Sequence, residues 1–214
     1  MRMKAIGVAG CVLLLGVAGA ASRAQEAAEQ ASQDSASVAR ADENRGLASK
    51  AQRAVEAKRW PEAVELLNQL VKLDPSNEVA QFTLGTALIK TSHYQDAAKF
   101  LEALLRKYPD NPAVQNNLAW VYAKTDDPAL RNPEKAVQYA QEALLQTPSD
   151  LNVWGTLAEA YYASGKYDRA ARVAATALKL TQAARRTDMD EVRELYERCR
   201  KAAAGQGGAG AAPR

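Results

Sequence analysis

The chemistry-bearing residues of this chain are few, and their spacing decides what each can do. An acid–base or metal site needs several convergent ligands, but the sole histidine, His93, falls in a turn before Tyr94 with no cysteine or carboxylate cluster beside it. It is expected to be a solvated turn residue. Gly205, Gly207 and Gly210 satisfy a G-x-G-x-x-G spacing, which cradles a pyrophosphate only where it joins a strand to a helix. Neither flank is present, so the segment reads as a tail. Asp126, Asp127 and Arg131 lie close together, yet a calcium loop requires a regular ladder of oxygen ligands that this stretch lacks, and it reads as a polar loop. Cys199 follows Val192, Leu195 and Tyr196 at helical spacing, as a small buried apolar residue would. These residues imply no catalytic centre, metal or cofactor, and the chain is not expected to be an enzyme.

Charge excludes a second class. Of 28 basic residues, Arg2, Lys4 and Arg23 lie at the very start; setting them aside leaves 25 against 25 acidic residues. A balanced chain without basic clusters gains little from the counterion release that drives nucleic-acid binding, so no nucleic-acid partner is expected.

The start has the parts of an export signal: Arg2 and Lys4, an apolar stretch from Ala5 to Ala21, then small residues. Residues 1–24 are therefore expected to be a signal peptide cleaved after Ala24, with Ala18-Gly19-Ala20 as the competing site, and the protein to be periplasmic or secreted. An uncleaved signal is the alternative. Val8-Ala9-Gly10-Cys11 resembles a bacterial lipoprotein signal, although Val12 to Leu15 continue the apolar run beyond the cysteine. Retention or lipidation would tie the protein to a membrane facing the periplasm. Without the signal Cys199 is the only cysteine, so stability must come from packing and not from a disulfide.

The elements that position side chains repeat with a period of 34 residues. Trp60 and Ala63 recur as Tyr94 and Ala97, Leu67 and Leu70 as Leu101 and Leu104, Ala51 as Gly85, Pro75 as Pro109, and Leu84 as Leu118. Leu118, Ala119 and Tyr122 then map onto Leu157, Ala158 and Tyr161 at 39 residues, whereas Ala136, Ala140 and Ala143 map onto Ala170, Ala174 and Ala177 at 34. Five residues are thus inserted between Thr125 and Pro133. Apolar residues at helical spacing, few β-branched neighbours and only 6% aromatic residues predict helices and no strand. Asn111-Pro112 and Asn132-Pro133 each place an N-cap before a proline, so both should start helices. Pro75, Pro109 and Pro148 separate units, and Gly165 permits a tight turn.

Leu84, Gly85, Leu88, Tyr94, Ala97, Leu101, Leu104 and Pro109 in the second unit fill the signature slots of the tetratricopeptide repeat, which the chain resembles over about two-thirds of its length. Trp154, Leu157, Ala158, Tyr161, Tyr167, Ala170 and Ala174 do so in the fourth unit, whereas the first has Leu47 where tryptophan is usual and Lys50 where leucine is usual. The resemblance implies an all-α, right-handed superhelical solenoid of about four helix-turn-helix repeats, 44–77, 78–111, 112–150 and 151–184, plus a C-terminal capping helix. Within the capping segment 185–203 the helix is expected from Asp188 to Ala203, capped by Thr187, because an open-ended stack leaves its last apolar face in water. Residues 25–43 and 204–214 are low in large apolar residues and are expected to be a disordered linker and tail.

The same resemblance implies a concave groove lined by first helices, holding a protein or peptide partner and not a small-molecule substrate. The second unit would present Val79, Phe82, Thr83, Thr86 and Lys90; the third Asn116, Asn117, Trp120 and Lys124; the fourth Asn152, Thr156, Glu159 and Tyr162. Phe82, Trp120 and Tyr162 are large side chains that the signature slots do not require, and aromatic anchors among polar neighbours compose binding hot spots. Asn117 occupies a slot where family members use an asparagine on the ligand backbone. The carboxylate-clamp type is not matched, since its slots hold Ala48, Gln52, Ala113 and Asn117. The expected function is a non-catalytic adaptor in the cell envelope, with a membrane-anchored assembly subunit as the alternative.

Overall fold

A computed structural model describes residues 9–184 and 189–209, with side chains over 28–184 and 190–205. Among the described residues there are nine α-helices and no strand: α1 (Ala9–Glu56), α2 (Trp60–Leu73), α3 (Glu78–Lys90), α4 (Tyr94–Lys107), α5 (Pro112–Lys124), α6 (Pro133–Gln146), α7 (Leu151–Ala163), α8 (Tyr167–Ala183) and α9 (Met189–Ala209). The chain divides into two compact units, Met1–Lys50 and Ala51–Arg214.

In the second unit the helices form a solenoid of hairpins, and two kinds of local chemistry set their ends. First helices begin on side-chain caps: Asn77 accepts from the Ala80 N–H, Asn111 from Ala113 and Val114, and Asp150 from Asn152. Second helices α2, α4 and α8 have no such cap and instead follow a residue in the left-handed region: Lys58 at φ 54°, Ser92 at φ 60° and Gly165 at φ 71°. These three close equivalent hairpins, yet only the last is a glycine. In the third unit the inserted loop replaces the turn, and α6 starts on Asn132, which accepts from the Lys135 N–H.

Close crossing explains the small residues. Ala63, Ala97, Ala136 and Ala170 on second helices, and Ala119 and Ala158 on first helices, are all 0% exposed. A Cβ on Gly85 would stand 2.6 Å from Leu101 Cδ2. In the last three hairpins sizes are matched: Gly85 faces leucine at 101, whereas Ala119 and Ala158 recur where the partner helix carries Ala140 and Ala174 at the slot of Leu101; in the first, Ala51 and Leu67 fill the two slots and both are buried.

Hydrogen bonds repeat with the same register. Gln81 Nε2 donates to the Pro75 carbonyl at 2.6 Å, Gln115 Nε2 to Pro109 at 3.2 Å, and Trp154 Nε1 to Pro148 at 2.9 Å, so each interunit proline carbonyl is tied to the helix that follows it. Between hairpins, the Tyr122 hydroxyl donates to Glu102 Oε1 at 2.8 Å, and Gln141 Nε2 donates to the Tyr161 hydroxyl at 3.0 Å.

The structure departs from expectation at both ends. Residues 25–43, expected to be a disordered linker, belong to α1, and no helix boundary falls at Asn44. Low apolar content predicts no burial, and residues 28–43 are indeed exposed, but it does not forbid a helix. Six alanines within 25–43, and the absence of glycine and proline from Ala20 to Arg45, favour one. Likewise α9 runs past the expected end at Ala203 to Ala209; its glycines weaken helical geometry without excluding it. Arg2, Lys4, Thr187 and Gly210 lie outside the described residues, as does the side chain of Cys11.

Candidate protein-binding face

First helices α3, α5 and α7 touch in succession, so their outward residues form one surface. Along α3, Val79 is 75% exposed, and the Thr83 hydroxyl turns back to the Val79 carbonyl at 2.7 Å. Phe82 is half-buried, meeting the Tyr108 ring edge-on at 5.5 Å between centroids. Thr86 donates to the Phe82 carbonyl and accepts from Asn117 Nδ2 at 3.1 Å, which stitches α3 to α5. Lys90 is exposed at the end of α3.

On α5, Asn116 keeps its Oδ1 buried with no hydrogen-bond donor, an orphan acceptor at the centre of the face. Trp120 is half-buried, with Lys124 Nζ 5.6 Å from its ring centre. On α7, Asn152 is exposed, and Gly155, in the slot of Phe82 and Asn116, has nothing within 4 Å of where a Cβ would be.

Two candidate residues are not brought to an open surface. Thr156 is 2% exposed, its hydroxyl bonded to the Asn152 carbonyl at 3.0 Å. Glu159 is 7% exposed because α9 packs on α7 and sets Arg198 against its Oε1, while Lys124 Nζ stands 3.7 Å from the same oxygen. Tyr162 is also engaged, with the Tyr167 ring 5.1 Å away and the Arg198 guanidinium 4.8 Å over its face. Of the three aromatic candidates, Trp120 alone has no described aromatic neighbour. Arg198 escaped the sequence reading because it comes from the end helix and pairs across 39 residues; the faint signal was Ala163, where Lys90 and Lys124 set a cationic slot.

The remaining chemistry-bearing residues serve the scaffold. His93 Nδ1 lies 2.7 Å from the Thr91 hydroxyl in the exposed turn before α4. Asp127 accepts from Gln95 Nε2 at 3.0 Å and from the Ala129 N–H, and the Gln95 bond, then the backbone bonds, hold its carboxyl below the usual range. The inserted loop is thereby pinned to α4. Cys199 is fully buried, and burial pushes its thiol up to about 11. Among the described residues no group of histidines, cysteines and carboxylates could hold a metal ion. Away from the first-helix face, Leu144, Leu145, Pro148, Trp154 and Leu157 line an open apolar cleft, with Leu145 84% exposed.

Comparison with known proteins agrees with this architecture. The family profile described as tetratricopeptide repeat matches residues 54–121 and 129–199. No curated protein matches the sequence significantly. Among solved structures, a thermophilic TPR protein of Thermus thermophilus superposes with a TM-score of 0.61 at 17% identity, over 73% of this chain and 80% of that one. MamA from Desulfovibrio magneticus RS-1 gives 0.54 at 16% identity, over 77% and 97%. A protein of nearly identical TPR-like repeats from Podospora anserina gives 0.54 at 22% identity, over 77% and 88%. At such identities the likeness is one of fold.

Proposed function

Because the chain belongs to the tetratricopeptide repeat family, whose fold serves protein–protein interaction, we propose that it is a non-catalytic adaptor of the cell envelope that grips a peptide or protein segment on the face made by α3, α5 and α7. The observation that carries this reading is the unsatisfied chemistry of that face. Trp120 is half-buried without a described aromatic neighbour, Gly155 leaves its backbone bare, and the Asn116 acceptor, though buried, is bonded by no described group. A glycine in a helix interior costs about 1 kcal/mol relative to alanine, and no packing neighbour accounts for it here. Close approach of a second backbone does.

The envelope assignment rests on Arg2, Lys4 and the apolar stretch that follows. Among the described residues no helix is long and apolar enough to cross a membrane. Fractionation with mass measurement of the mature N-terminus distinguishes a free start at Gln25 from a retained or lipidated one, the form an anchored assembly subunit requires. The face itself is tested by pull-down of the native partner with Phe82→Ala/Trp120→Ala. Capture should fall at least about tenfold, as loss of hot-spot aromatics does; undiminished capture would place the partner elsewhere.

A further inference from the structure

At the α5–α7 end of the face, five side chains from three helices form one cluster. Glu159 on α7 is nearly covered, its side chain 9% exposed, and its Oε1 is approached by both Lys124 of α5 and Arg198 of α9. Each cation also sits over an aromatic ring, Lys124 over Trp120 at 5.6 Å and Arg198 over Tyr162 at 4.8 Å. One buried carboxylate therefore holds two cations in place, and their charges exceed its own by one.

The two cations remain reachable where their anchor is not. Lys124 is 31% and Arg198 41% exposed at the side chain. Lys124 stands outside hydrogen-bond distance of Glu159, and the Arg198 guanidinium has five donors, of which the described bond to Glu159 takes one. The register extends the pattern. Lys90 and Lys124 occupy one slot in successive units, the fourth unit has Ala163 there, and Arg198 arrives from α9 to supply the missing cation. Lys90 has no ion-pair partner among the described residues. Among its candidate residues the interaction face carries Lys90 and Lys124 against Glu159, and α9 adds Arg198; Asp126 and Asp127 follow Lys124 in the inserted loop and line the open pocket beside it.

Resting on the adaptor reading above, we infer that the partner is acidic, and that an aspartate or glutamate flanked by apolar residues docks between Lys124 and Arg198 with its neighbours on Trp120 and Tyr162. Glu159 is then a positioning residue, which pre-orders both donors so that binding does not have to order two long side chains. Charge complementarity of this kind selects the partner and fixes its register.

An unbiased 12-residue peptide display library selected on the full chain, with counter-selection on Trp120→Ala, tests this. Peptides that depend on Trp120 should be enriched in aspartate or glutamate, and the best of them should lose about tenfold in affinity when the acid becomes its amide or when Lys124 becomes methionine. Lys124→Met keeps the Glu159–Arg198 pair and should fold; Arg198→Met, checked by thermal melting, should act in the same direction, and exposed Lys201→Met should change nothing. Trp120-dependent peptides without acidic enrichment, or an acidic preference that survives both Lys124→Met and Arg198→Met, would overturn the inference and leave the adaptor reading standing. No Trp120-dependent peptide at all would sink both.

Discussion

The amides that tie the proline carbonyls are not equal, although they occupy equivalent slots. Gln115 uses both ends: Nε2 reaches the Pro109 carbonyl and Glu142 Oε2, and Oε1 accepts from Gln146 Nε2, each at 3.2 Å. Gln81 uses one end, since its Oε1 is buried without a donor. A net hydrogen bond contributes about 1 kcal/mol, whereas an orphaned buried polar atom costs about 1–3 kcal/mol. Replacing Gln115 by leucine removes every bond of a satisfied group and should destabilise by about 1–2 kcal/mol. Replacing Gln81 by leucine removes one bond and one orphan together, so the result should be within about 0.5 kcal/mol of neutral. Urea denaturation of the two variants reads the difference as a shift in midpoint at constant slope. Equal losses would mean that the Gln81 acceptor is satisfied in solution. Trp154 fills the same slot with an indole N–H, which has a donor and no acceptor to orphan.

At the scale of helix pairs, the contact between Gly85 and Leu101 sets an expectation of opposite signs. Gly85→Ala should gain about 1 kcal/mol in helix propensity, but its Cβ would stand 2.6 Å from a leucine that is 0% exposed and cannot swing into water. Overpacking of this kind costs about 1–3 kcal/mol, so the single change should destabilise by about 1 kcal/mol. In a Leu101→Ala background the same change should stabilise by about 1 kcal/mol, because alanine facing alanine is the solution that the third and fourth units already use. A double-mutant cycle by thermal unfolding should show coupling of about 2 kcal/mol; additive effects would mean that Leu101 relaxes freely. The slots themselves were legible in the sequence, because they recur at a fixed shift of 34 residues. Helix starts at Asn111 and Asn132 were legible for an equally local reason, cap chemistry adjacent to proline. Three features were not. The continuity of α1 depends on backbone propensity in a stretch that buries nothing, where apolar periodicity carries no signal. The left-handed turns at Lys58 and Ser92 carry no glycine to announce them. Burial of Glu159 needs a helix that does not share the repeat's register. Candidate face residues were thus chosen by slot, and two of those slots are buried: Thr156 at 2% exposure, and Glu159 at 7%, where Arg198 of α9 pairs with it, a tertiary contact that no local pattern announces.

For the molecule as a whole, the consequence of stacking is that stability is nearly a sum of units and their neighbouring interfaces, so damage at one end should stay there. In this chain α9 packs on α8 and α7, and its Cys199 is fully buried while Arg198 completes the environment of Glu159. Ending the chain at Ala184 would uncover the side of α8 that α9 occupies and leave Glu159 with Lys124 as its only described cation, at 3.7 Å. Removing one partner of a buried pair costs up to about 3–5 kcal/mol, and because Arg198 is well exposed the share from this pair should be about 1–2 kcal/mol, added to the lost apolar packing. Hydrogen exchange followed by mass spectrometry should then show the amides of α7 and α8 exchanging at least about tenfold faster than in the full chain, with those of α3 and α4 changed by less than about twofold. Helical ellipticity should fall by more than the 21 residues of α9 account for, since α8 frays once its outer neighbour is gone. A uniform acceleration across α3 to α8 would instead mean that the hairpins unfold as one cooperative body. The face and its end helix would then act as a single switch, in which loosening α9 at Arg198 reaches as far as Phe82.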